Sequence, residues 1–326
     1  MPKRPLRIMF LFTRAFWSAV FARLFGKSPW PGLGFQTEVL VRFLKLDWLG
    51  IREMAIPEAR EDLASRPLPD TATKRVRVTP AEGAPVSSVW VEPTDAADDR
   101  VVLYLHGGSY LFGSHETHAD TLARVALGAR ARLLAPNYRL APEHPYPAQL
   151  DDAVATYEWL VKRVEPKKIT VAGESAGANL VIALMIALRD RGIPLPAGAA
   201  AISAWVDLES TRPSITKNEP TDFGDRDMLI GHARLFAGDV PLSDPRVSPL
   251  FADLHGLPPL FVQAGDAECL FDENSELVER VRKAGGRAEL DRVPGHPHAP
   301  LFFAEWSKEA QASVDRLGAW IRRTTP

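Results

Sequence analysis

Residues 169–190 read ITVAGESAGANLVIALMIALRD. A short apolar run, Ile169 to Ala172, is interrupted by Gly173-Glu174-Ser175-Ala176-Gly177 and then continues as a long stretch of good helix formers. A strand, a turn of small residues and a helix in that order make the unit from which parallel sheets are built. Similar short apolar runs stand on both sides of it: VVLYL (101–105), RLLAP (132–136), AAAIS (199–203) and LFVQA (260–264). Such runs suit strands covered on both faces. Helical stretches are expected between them at 117–128, 148–164, 176–190, 227–237, 273–284 and 307–323, with RAELDRV (287–293) as a last strand. Ahead of them, KRVRVT (74–79) and SSVWVE (87–92) alternate like half-buried antiparallel strands. The expected fold is α/β, a mostly parallel central sheet flanked by helices. Residues 1–73 are left as an N-terminal helical cap segment on a core of 74–326.

The bulk numbers fit that reading and exclude others. The chain has 326 residues, 46% hydrophobic and 25% charged, enough to bury a full core. A formal net charge of -2 gives no reason to expect nucleic acid as a partner. With Cys269 as the single cysteine, there is no internal disulfide and no cysteine-rich metal site. His115 and His118 have i, i+3 spacing but no evident third ligand, so no metal is expected. The first 25 residues are basic and then apolar, yet Arg14 and Arg23 interrupt any span of roughly 20 apolar residues. They read as an amphipathic helix packed on the protein, with contact at a membrane surface as the other reading. A soluble, cytoplasmic protein is expected.

Ligands of open α/β sheets sit beyond the carboxyl ends of the strands. After ITVA, the G-x-S-x-G pattern allows a sharp turn that exposes the Ser175 hydroxyl, with the Ala176 amide at a helix N-terminus. After VVLYL, His106-Gly107-Gly108-Ser109-Tyr110 brings two adjacent glycines whose amides could face a developing oxyanion. Gly107, Gly108 and Ala176 are the expected three donors, and His106 reads as an anchor for its loop.

The stretches HGGSY (106–110), NYRLAPEHPYPA (137–148), GESAG (173–177), SAWVDL (203–208) and SPLFADLHGLPPLFVQAG (248–265) resemble the bacterial hormone-sensitive-lipase-like esterases, the third α/β-hydrolase family. The likeness is collinear from about residue 75 to 323. It implies an α/β-hydrolase fold, an N-terminal helical cap and no cofactor. It also implies hydrolysis of short- to medium-chain acyl esters through an acyl-enzyme, with pairing into homodimers common. The chain departs from the family at Glu174, usually aspartate, at Ser109, usually glycine, and at Pro300, usually aromatic.

The fold's chain order is serine, acid, histidine. The family's G-x-P-H ending matches Gly295-His296-Pro297-His298 and selects His298 as base, with His296 as reserve. Glu268 in ECLFDE fits the family's frame for the acid, and Asp266 is the alternative. Substrate-binding candidates are Tyr110, Phe223 and Phe35, with Trp17 and Phe43 also possible from the cap. A lactone, amide or N-acetyl hydrolase using the same residues is the alternative reading. A non-catalytic binding homologue is the distant one.

Overall fold

A computed structural model describes residues 4–30, 32–66 and 69–325. The chain opens with helices α1 (Arg4–Leu24), α2 (Phe35–Ile51) and α3 (Ile56–Ala64), followed by strands β1 (Val76–Pro80) and β2 (Ser88–Pro93). Alternation then sets in: β3 (Ala97–Leu105), α4 (Ala119–Ala129), β4 (Ala131–Pro136), α5 (Ala148–Val161), β5 (Ile169–Glu174), α6 (Ala176–Asp190) and β6 (Gly198–Ile202). The segment after β6 carries the short α7 (Pro213–Lys217) and α8 (Arg226–Ala237). It is followed by β7 (Leu260–Gly265), α9 (Phe271–Lys283), β8 (Ala288–Val293) and α10 (Lys308–Thr324).

The strands form one eight-stranded sheet in the order β1-β2-β4-β3-β5-β6-β7-β8. β1 and β2 are antiparallel, and β4, β3 and β5 to β8 run parallel to one another. β5 and β7 are buried at every residue, which is why their sequences are mostly apolar, with Thr170, Glu174 and Gln263 as buried polar exceptions, whereas the edge strand β1 is largely exposed, Val78 included.

Alternation along β3 divides the core in two. Val101, Leu103 and Leu105 point into a layer shared with α6 and α9. Val102 and Tyr104 point into the other, which holds Leu122 and Val125 of α4 and Leu317 and Trp320 of α10. Full burial of each such side chain contributes roughly 1.5–3 kcal/mol. α4 and α10 meet backbone to backbone, since a Cβ on Gly318 would lie 2.3 Å from the Gly128 carbonyl carbon.

The order reverses at β3. β4 lies on one side of it and the next strand, β5, on the other. The crevice beyond β3 and β5 is therefore the switch point where a ligand site is expected. α2 closes over this end: Leu40, Val41 and Leu44 cluster with Trp30, Phe223 and Phe303, and Trp30 Nε1 donates to the Thr221 carbonyl at 2.8 Å. Ion pairs fix the N-terminal helices to each other. Buried Glu38 accepts from Arg23 at 2.7 Å and Arg42 at 2.8 Å, and buried Asp47 accepts from Arg7 at 3.0 Å and from Arg66.

Candidate active site

β5 ends at Glu174 and α6 begins at Ala176, so Ser175 alone makes the bend, with φ 57° and ψ -121°. That left-handed conformation in a non-glycine residue is strained, and such strain is typical of functional turns. The flanking glycines are needed because β3 runs against the bend. A Cβ on Gly177 would lie 2.0 Å from the Leu105 carbonyl oxygen and 2.4 Å from that of His106. The same register, Leu105 beside Gly173, brings the loop after β3 next to Ser175. A Cβ on Gly107 would sit 3.2 Å from Ser175 Cβ.

The donors around Ser175 differ from the expected trio. The Gly107 amide donates to Glu174 Oε1, so it is already engaged. The amides of Gly108 and Ala176 have no acceptor among the described residues. The expectation for Gly107 is corrected on this point: the longer glutamate, where the family has aspartate, reaches and takes its N–H. Fully buried Glu174 Oε1 also accepts from the partly exposed His118 Nε2 at 3.0 Å. Burial opposes both charges but the pairing outweighs it, so Glu174 is held below and His118 above its ordinary range. His106 stacks on Tyr138 at 4.3 Å and its Nδ1 meets the Gly107 carbonyl at 2.8 Å. Burial, then the neighbouring His118, pull its pKa down to about 4, so it is a neutral loop anchor.

Glu268 and the His298 loop share one hydroxyl. Ser203 Oγ donates to Glu268 Oε2 at 2.6 Å and accepts from the Ala299 amide at 2.9 Å. Glu268 Oε2 also accepts from the Gly265 amide at 3.0 Å, while buried Oε1 has no partner among the described residues. Asp266 is differently engaged, accepting from Arg292 Nε at 2.9 Å and the Gly295 amide at 2.6 Å. Both ring nitrogens of His296 are also occupied, by the Pro294 carbonyl at 2.9 Å and Ser307 Oγ at 2.8 Å. The half-buried His298 ring and the Ser175 hydroxyl make no hydrogen bond, to each other or to another described residue. Burial lowers the His298 pKa, partly offset by Asp222 and Glu174. Burial also raises the Glu268 pKa well above the carboxylate range, against the Ser203 and Gly265 donors.

One residue with no signal in the sequence ties these loops together. Buried Asp222 accepts from the His298 amide at 3.1 Å and the Phe223 amide at 2.8 Å through Oδ1, and from the Cys269 amide at 2.7 Å through Oδ2. It thereby joins the base loop to the residue after Glu268. Ser203 was visible in the SAWVDL motif, but not its contact with Glu268.

A family model described as the alpha/beta hydrolase fold matches residues 102–302. An acetyl-hydrolase of Streptomyces hygroscopicus is 34% identical over 304 residues, spanning 89% of this chain and 97% of that protein. An esterase of Acinetobacter venetianus is 32% identical over 222 residues, 67% of this chain and 73% of that one. Among solved structures, an esterase from the bacterial hormone-sensitive lipase family is 37% identical with a TM-score of 0.79, covering 86% of this chain and 98% of its own. The chain belongs to the α/β-hydrolase fold family, among the bacterial hormone-sensitive-lipase-like esterases.

In this α/β-hydrolase only one of the expected substrate contacts borders the site. Phe223 lies edge-on to the His298 ring at 5.7 Å. Tyr110 is corrected: it is fully buried, stacked on Phe236 at 3.7 Å, and its hydroxyl donates to Asn179 Oδ1 at 2.8 Å, which makes it a core plug. Phe35 is corrected as well. It packs in the α1–α2 seam with Phe16 at 5.5 Å, beside Phe43 and Val39. Trp17 stands 53% exposed on α1. Trp30, Leu40 and Leu44 of the N-terminal region instead share a cluster with Phe223.

Proposed function

We propose that the chain is a serine carboxylesterase that hydrolyses short- to medium-chain acyl esters, acetyl esters among them, through an acyl-enzyme. The observation that carries this reading is Ser175 at the strained β5–α6 bend, next to the Gly107–Gly108 loop, with the amides of Gly108 and Ala176 lacking an acceptor among the described residues. His298 takes the proton of Ser175 Oγ as that oxygen bonds to the ester carbonyl carbon. The Gly108 and Ala176 amides receive the oxyanion. When the tetrahedral intermediate collapses, the ester C–O bond breaks and the alcohol leaves with the proton held by His298. Water then releases the acid by the same steps in reverse.

Glu268 acts as the triad acid, orienting the imidazole and stabilising its charged form. The engagement of Asp266 by Arg292 and Gly295 supports this choice, and so does Glu268 Oε1, which has no partner among the described residues. The name of the Streptomyces relative, an acetyl-hydrolase, supports counting acetyl esters among the substrates.

Replacement of Ser175 by Ala is expected to abolish release of a chromophore from acetyl and butyryl esters. A fluorophosphonate probe should label the wild-type chain at Ser175 and nowhere else. Undiminished turnover by the alanine variant, or labelling at another residue, overturns the assignment.

A further inference from the structure

The side of α1 turned away from α2 is apolar along its length. Ala15 and Ala19, fully buried, mark the inner side against Val39 of α2. On the opposite side, at helical steps of three or four, stand Leu6, Phe10, Trp17, Phe21 and Leu24, exposed by 52%, 65%, 53%, 55% and 73%. Thr13 fills the gap in this stripe and turns its hydroxyl back onto the Met9 carbonyl at 2.8 Å, so no polar group is offered outward there. A stripe of this length displayed to water marks an interaction surface.

Charge decides what covers it. The first 37 residues hold six basic residues and no acidic one, in a chain of net charge -2. Arg7 and Arg23 are spent inward on Asp47 and Glu38. Arg14 and Lys27 are exposed and have no acidic partner among the described residues. A two-fold contact between copies would set these cations against each other, because such an interface uses the same patch twice. An apolar, aromatic stripe with basic flanks and no carboxylate is complementary to a bilayer surface rich in anionic headgroups. Among the described residues no helix is long and apolar enough to cross a membrane, so α1 would lie in the plane of the interface.

We propose that α1 is an in-plane anchor that docks this hydrolase, cap first, on an anionic lipid bilayer. The test is sedimentation of the full chain with phosphatidylcholine vesicles, with and without equimolar phosphatidylglycerol. The wild type is expected to pellet with the anionic vesicles and to be released by salt. Phe10→Glu combined with Phe21→Glu should lower the bound fraction about tenfold without altering hydrolysis of a soluble acetyl ester. Arg14→Glu should lower it about fivefold or more. The proposal is overturned if the wild type stays in the supernatant with both vesicle types, or if the double variant binds as well as the wild type. It also fails if light scattering shows a vesicle-free dimer that the double variant dissociates while neither protein binds lipid.

Discussion

In the proposed mechanism His298 must be neutral to accept the Ser175 proton, and its burial favours that state. Because its pKa is lowered from about 6.5, kcat/KM should climb with pH through a midpoint below that value and level off above it. An acid limb centred above pH ~7 would contradict this assignment. The two acids separate cleanly by substitution. Glu268→Gln is expected to cut kcat by roughly 10³- to 10⁴-fold, since an amide no longer holds the imidazole in the required tautomer. Asp266→Asn should leave kcat within a few-fold, because it removes a partner of the exposed Arg292 and of the Gly295 amide. Steady-state kinetics on both variants checks the contrast, and the reverse ranking would exchange the roles. At this scale the sequence was informative where a residue type is demanded by chemistry at a fixed spacing, as for Ser175 and the bend glycines. It was silent on Asp222, whose role comes from three loops that meet only in the fold, and it could not distinguish Tyr110 as a wall of the pocket from Tyr110 as a plug beneath it.

Every strand anticipated from an apolar run is present, because central strands of a parallel sheet leave no solvent face to vary. The short α7 and the loops between β6 and β7 were not anticipated; they are held by side chains such as Asp207 and Asp222 and carry no periodicity. The contact of β3 with the start of α6 is the tightest of these element-level fits. Gly177→Ala would drive a methyl group into the Leu105 and His106 carbonyls and should cost about 3 kcal/mol or more, read from urea unfolding. Wild-type stability in that variant would show that the bend can relax. The Glu174–His118 pair makes a pH-dependent contribution of a definite sign. The lowered carboxyl stabilises the fold above its unfolded value of about 4.3, a contribution lost as pH falls through its folded pKa. The raised imidazole contributes fully below about 6.5, and that contribution disappears as pH rises through its folded pKa. Glu174→Gln should therefore lose most stability between those limits and least outside them, by denaturant titration at a series of pH values.

Across the whole molecule, ion pairs tie the α1–α2 pair to the end of α3. Asp47 joins Arg7 of α1 to Arg66, just after α3, from a buried position on α2. Asp47→Asn should cost about 2–3 kcal/mol, discounted because both arginines are partly exposed, and should open the cap to limited proteolysis before the core unfolds. An unchanged digestion pattern would mean that packing alone holds the cap. The reversal of strand order at β3 bears on how the chain acquires activity. Ser175 and Gly108 are 67 positions apart in sequence, and their loops come together only once β3 and β5 lie side by side, with the intervening α4, β4 and α5 looped out and β4 placed on the far side of β3. Non-local pairing of this kind forms slowly compared with helices. On dilution from denaturant, far-ultraviolet ellipticity should thus return well ahead of ester turnover, and the lag between the two would time the closure of the sheet's centre.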